Sequence, residues 1–127
     1  QVRLVNQEFK VVLEQRRTGQ YQILFSDWVG DYLDPSTFLN VWRSDSGNNQ
    51  TGWSSPAYDS FLRSAALAAD PAERNALFQK AEALLMAAVP IAPLYYNTHI
   101  FLIQPSVKGW HPTLLDHHPY KAVWLEE

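Results

Sequence analysis

Apolar and polar positions follow two periods along this 127-residue chain, and the changes of period divide it into elements. Phe9, Val12, Leu13 and Arg16 recur at i, i+3, i+4 and i+7, one face of a helix. Asn6 stands where it can cap that helix, and Gly19 where a left-handed residue would end it. Val2, Leu4 and Val5 before it read as a short strand. Tyr21, Ile23 and Phe25 after it alternate with Gln22, Leu24 and Ser26, a second strand. Strand, helix, strand in so short a span predicts a crossover unit: an α/β fold with a mixed sheet flanked by helices.

The middle of the chain is helical. Asp34 as cap and Pro35 at the first helical position predict a short helix through about Trp42. A polar loop follows from Ser44 to Gly52. Ser55-Pro56 repeats the cap-and-proline signal, and Tyr58, Phe61, Leu62 and Ala65 then share one face. Asp70-Pro71-Ala72-Glu73 approaches a capping box and opens the longest predicted helix. Its stripe is Leu77, Phe78, Ala81, Leu84, Leu85 and Ala88, and Pro90 stops it. From Ile91 the texture changes: Ile91 to Tyr96 and His99 to Ile103 are β-rich, Gln104 to Pro119 is loop-like, and Lys121 to Leu125 reads as a closing strand.

Between the second predicted strand and the next helix lies Ser26-Asp27-Trp28-Val29-Gly30-Asp31-Tyr32-Leu33-Asp34-Pro35. It sets an aromatic ring, a glycine and two carboxylates at a strand exit, the place where open α/β sheets gather ligands. A carboxylate there can meet a cationic group, and a strand edge can pair with an extended chain. Composition narrows the alternatives. Ten basic against thirteen acidic residues, net charge −3, give no electrostatic footprint for nucleic acid. The absence of cysteine removes disulfides, thiol catalysis and Cys-ligated zinc. No Gly-rich phosphate loop or G-x-S-x-G word appears, so no enzyme, cofactor or metal is expected. No apolar run approaches the ~20 residues of a membrane span. Gln1-Val2-Arg3-Leu4-Val5 lacks an initiating Met and reads as the inside of a strand, so the chain is read as a piece whose missing export signal carries no information.

Several words of the sequence belong together: Leu4-Val5-Asn6-Gln7-Glu8-Phe9, Gly30-Asp31-Tyr32-x-Asp34-Pro35, Phe38-Leu39-Asn40, Ser44-Asp45-Ser46-x-Asn48-Asn49, Ser55-Pro56-Ala57-Tyr58-Asp59, Arg74-x-x-Leu77-Phe78-x-Lys80-Ala81-Glu82 and Val89-Pro90-Ile91-Ala92-Pro93-Leu94-Tyr95-Tyr96. In this order they resemble the C-terminal portion of the solute-binding proteins of oligopeptide and dipeptide ABC importers. The resemblance implies a two-lobed periplasmic-binding-protein fold, of which residues 1–90 would be a fragment of the C-terminal lobe, 91–99 a hinge-crossing strand, and 100–127 a tail belonging with the other lobe. It implies a receptor, periplasmic or extracellular and membrane-associated through the transporter, that hands a small peptide to the ABC permease. By that likeness Asp31 holds the peptide's α-amino group, Asp27 to Val29 offer backbone to its main chain, Trp28 walls a side-chain pocket, and Arg16 matches a basic position. Phe25 lies where oligopeptide binders can carry an arginine, Phe9 replaces a tryptophan, and Trp53 stands near a usual tyrosine.

Each feature has a plainer reading beside this one. Asp31 is otherwise a turn carboxylate, Trp28 a core residue, Asp34 a helix cap, and Tyr95-Tyr96 hinge packing. Asp31 and Asp34 together form an acid pair in principle. His99, His111, His117 and His118 suggest metal, but adjacent histidines on a strand face opposite ways. The alternative functions are a non-binding structural or interaction fragment, or a receptor for a sugar, opine or metal chelate on the same scaffold. Self-association is also expected, because Trp110, Leu114, Leu115 and Trp124 would lack their covering lobe.

Overall fold

The computed structural model describes residues 2–113 and 115–126. Its centre is a helical hairpin, α3 (Pro56–Leu67) against α4 (Pro71–Ala88). Both helices start as their sequence predicts. Ser55 accepts from the Tyr58 N–H at 3.2 Å and Asp70 from the Glu73 N–H at 3.0 Å, with a proline in the first turn of each. Those bonds satisfy donors that a helix leaves without intrahelical partners. The two apolar stripes then close on each other: Tyr58, Leu62 and Ala65 from α3 meet Phe78, Ala81 and Leu85 from α4, all buried. Leu77 and Leu84 pack at the margin of this core, whereas Ala88, predicted on the stripe, is exposed. Val89 ends α4 in the left-handed region at φ 52°, a conformation a β-branched residue adopts with strain, and Pro90 follows.

A short helix, α2 (Ser36–Leu39), continues as a 3₁₀ turn over Asn40–Trp42 and lies across this hairpin. Two long-range polar contacts hold it. The fully buried Tyr58 donates its hydroxyl to the Leu39 carbonyl at 2.6 Å, and burial pushes that phenol's pKa up. Arg74 from α4 grips Asp34 just ahead of α2 through two bonds of 2.7 and 2.8 Å. Bidentate guanidinium–carboxylate pairs fix orientation as well as distance.

The N-terminal helix, α1 (Phe9–Thr18), ends as expected at Gly19, φ 68°, where the Gln20 N–H reaches back to the Gln15 carbonyl at 2.9 Å. Its start differs: Glu8 rather than Asn6 is the boundary residue, and no side chain caps it. None of its residues is buried.

The strands predicted at Val2–Val5, Tyr21–Phe25, Ile91–Tyr96 and His99–Ile103 do not form ladders. Among the described residues the sheet is one antiparallel pair, β1 (Val107–Lys108) with β2 (Trp124–Leu125). The closing strand is thus shorter than predicted, its first part being a 3₁₀ turn at Tyr120–Ala122. A strand is stable only against a partner backbone, and the described residues bring none to those segments. The tail instead gathers an aromatic cluster: Trp110 stacks on His118 at 4.6 Å and lies 4.6 Å from Phe101. The Asp116 carboxylate sits between His118 Nε2 at 2.6 Å and His99 Nδ1 at 3.1 Å. Trp110 is half-buried in this cluster and Leu115 is also half-buried; Trp124 remains exposed, and Leu114 lies outside the described residues.

Candidate functional site

The stretch that the sequence sets at a strand exit is organised by α2. Thr37, buried on α2, accepts the Asp31 N–H through its hydroxyl at 2.8 Å. Its carbonyl accepts the Trp28 indole N–H at 3.0 Å. Gly30 passes so close that an added Cβ would stand 3.1 Å from the Thr37 methyl and 3.2 Å from the Phe38 ring. A side chain here would crowd both groups by a few tenths of an ångström, so glycine eases the close approach.

These contacts shape a cleft of about 170 Å³. Trp28, Asp31, Tyr32, Thr37, Asn40, Val41, Ser46 and Asn48 line it. Ser46 and Asn48 come from a loop, and Asn49 gives that loop form. Its amide donates to the carbonyls of Trp42, Arg43 and Trp53 at 2.9–3.1 Å, while its oxygen accepts from Thr51. Nearby, the buried Asp59 accepts the Ser44 N–H at 3.0 Å.

The two aspartates of the stretch have separate roles. Asp34 is engaged within the chain: Arg74 hydrogen bonds hold its carboxyl well below the usual carboxylate range against the opposing cost of burial, with Ser36 adding to the effect. Asp34 Oδ1 also accepts the Ser36 N–H at 2.9 Å, so it does cap α2, from one residue earlier than a standard N-cap. Asp31 is exposed, faces the cleft and has no side-chain hydrogen bond or ion pair among the described residues. The acid pair of the sequence is thereby split into a structural carboxylate and an open one.

Trp28 and Asp31 are brought together in the cleft. Asp27 and Val29 are exposed beside it, and the backbone from 27 to 29 joins neither a helix nor a strand. Arg16 points elsewhere, with Nη1 3.5 Å from Ser26 Oγ. Thr37, Asn49 and Arg74 escaped the sequence reading as builders of this site. Arg74 and Asn49 were visible only as members of family-like words, and a lone Thr on a four-residue helix carries no pattern. No group of three or more metal-ligating side chains occurs among the described residues.

No protein-family model matches the chain. Individual proteins do. The periplasmic murein peptide-binding protein MppA of Escherichia coli is 41% identical over 109 residues, 86% of this chain and 20% of that protein. The periplasmic oligopeptide-binding protein OppA of E. coli is 38% identical over the same share. The probable deoxycholate-binding periplasmic protein YgiS of E. coli is 37% identical over all of this chain, and 23% of its own length is covered. Among solved structures, E. coli MppA superposes with a TM-score of 0.89 at 36% identity over 98% of this chain and 25% of its own. Haemophilus influenzae OppA in complex with RPPGFSPFR gives 0.87 at 31% identity, over 97% and 24%.

The matched segment thus has the fold of periplasmic binding proteins, the α/β class expected. The chain belongs to the periplasmic oligopeptide- and dipeptide-binding proteins, of which it corresponds to a C-terminal portion. It spans about a quarter or less of the length of the relatives named above.

Proposed function

We propose that the chain supplies the amine-recognising wall of a peptide-binding cleft in an ABC-importer receptor, with Asp31 as the anchor for the ligand's ammonium group. The observation that carries this reading is the Asp31 carboxylate itself: exposed, lining a cleft, and free of a side-chain partner among the described residues. The side chains lining that cleft include no Lys or Arg, so its charge favours a cation. An ammonium donating to a carboxylate makes charge-assisted hydrogen bonds, stronger than neutral ones. The backbone at Asp27 to Val29, outside any ladder, is suited to pair with an extended main chain, which gives affinity independent of sequence. Trp28, fixed by its bond to Thr37, walls one side. Arg16 remains a more distant candidate.

In this reading the receptor is periplasmic, binds its peptide without transforming it, and passes it to a membrane permease. Residues 1–90 belong to the C-terminal lobe, 91–99 cross the hinge, and 100–127 pack with the other lobe. A difference between two MppA structures supports a joint within the matched segment: this chain superposes on one with a TM-score of 0.89 and on the unliganded open form with 0.75.

The full-chain likeness to YgiS favours a second reading, a different solute on the same scaffold. An anionic bile acid would meet an uncompensated carboxylate in this cleft, which weighs for the peptide. Calorimetry on the full-length receptor separates them. Asp31→Asn is expected to weaken binding of a free-amine tripeptide by about tenfold or more, since charged hydrogen bonds contribute roughly 1.5–3 kcal/mol. An N-acetylated tripeptide should be unaffected by the substitution. Unchanged free-amine affinity, or tight deoxycholate binding in its place, would remove the anchor role.

A further inference from the structure

Thr37 is a single buried residue to which Trp28, Gly30 and Asp31 of the cleft are tied. Its hydroxyl accepts the Asp31 N–H at 2.8 Å, its carbonyl accepts the Trp28 indole at 3.0 Å, and its methyl meets the open face of Gly30. Thr37 is itself held: Asp34 at the head of α2 is gripped by Arg74, the Thr37 N–H bonds to the Asp34 carbonyl at 3.1 Å, and Leu39 at the other end accepts from Tyr58. The Asp31 backbone is therefore referred to the α3–α4 core through one residue.

We infer that Thr37 is a positioning residue that sets ammonium selectivity by fixing where the Asp31 carboxylate stands. The inference rests on the reading of Asp31 as the anchor. Two consequences follow from the geometry. The Asp31 N–H is occupied by Thr37 and unavailable to ligand, so residue 31 presents only its acceptor oxygens to the cleft. A free N–H beside the carboxylate would offer a ligand carboxylate or carbonyl a competing donor. With the hydroxyl in place the wall discriminates for donors, and without it the half-buried N–H must find another acceptor, carrying the carboxylate with it. Gly30 contributes by permitting the approach.

Thr37→Ser and Thr37→Ala both lose the methyl that touches Gly30 and differ only in the hydroxyl, so their comparison isolates the bond to Asp31. Calorimetry on the full-length receptor with a free-amine tripeptide and its N-acetylated form is the test. Thr37→Ser is expected to hold free-amine affinity within about threefold, and Thr37→Ala to lose about tenfold, the scale of one hydrogen bond that leaves a half-buried donor unpaired. The ratio of free-amine to acetylated affinity should fall with Thr37→Ala alone. In an Asp31→Asn background Thr37→Ala should cost no further affinity. A loss that strikes both peptides equally, or that adds to Asp31→Asn in full, would reduce Thr37 to a packing residue and overturn the inference. If Asp31→Asn changes nothing, the anchor reading fails instead. Should Thr37→Ala not fold, hydrogen exchange on the wild-type receptor decides: slow exchange of the Asp31 amide supports the bond, and rapid exchange overturns it.

Discussion

Asp34 and Asp31 lie three positions apart and show how one residue type takes opposite duties. The bidentate pair with Arg74 lowers the folded-state pKa of Asp34 below its unfolded value. A depressed carboxylate pKa adds stability that is complete above the unfolded value of about 4 and disappears as pH falls toward the folded one. Urea unfolding of the chain and of Arg74→Met at pH 7 and pH 3 should therefore show a stability gap that narrows in acid. A residual gap is expected to persist, because the Arg74 guanidinium also sits 4.6 Å from the centre of the Phe78 ring. A gap of equal size at both pH values would show that the pair contributes nothing through charge. At this scale the sequence was readable where a residue acts on its near neighbours, as Ser55, Asp70 and Gly19 do. It was silent on Arg74 and Thr37, whose partners are chosen by the fold: Asp34 lies forty positions from Arg74.

The α3–α4 hairpin formed as its stripes predict because each helix finds its complementary face within the chain. The two faces meet through Tyr58, Leu62, Phe78 and Leu85. Leu85, 2% exposed, is packed on all sides, so Leu85→Ala is expected to cost about 2–5 kcal/mol of unfolding free energy. Leu67→Ala, at an 86% exposed position, should stay within about 0.5 kcal/mol. Equal effects in denaturant titrations would contradict this placement of the core. The strand predictions at residues 2–5, 21–25, 91–96 and 99–103 had a sound pattern and no partner among the described residues. Exposure in the last of them still alternates, with Phe101 and Ile103 at 41% beside Ile100 at 90% and Leu102 at 101%. Helices close their hydrogen bonds internally, whereas strands depend on backbone from elsewhere, so α1 persists as a helix with no buried residue while Tyr21–Phe25 has no ladder.

At the level of the whole molecule, the exposed apolar side chains of α1, of residues 21–25 and of residues 94–102 fit a chain that spans a quarter or less of the relatives named above. The family was legible in words scattered along the sequence, several of which the fold joins: Asp34 bonds to Arg74 and Tyr58 to Leu39. The cleft was legible only in outline: Trp28 and Asp31 could be named, but the loop that brings Ser46 and Asn48 to it is shaped by the hydrogen bonds of Asn49. The central claim is that this wall receives a positive charge. A crystal structure of the full-length receptor with a free-amine tripeptide measures it directly. The ammonium nitrogen is predicted to lie within about 2.7–3.2 Å of an Asp31 carboxylate oxygen. An ammonium held by another acidic group, with the Asp31 carboxylate turned to water, would contradict the account.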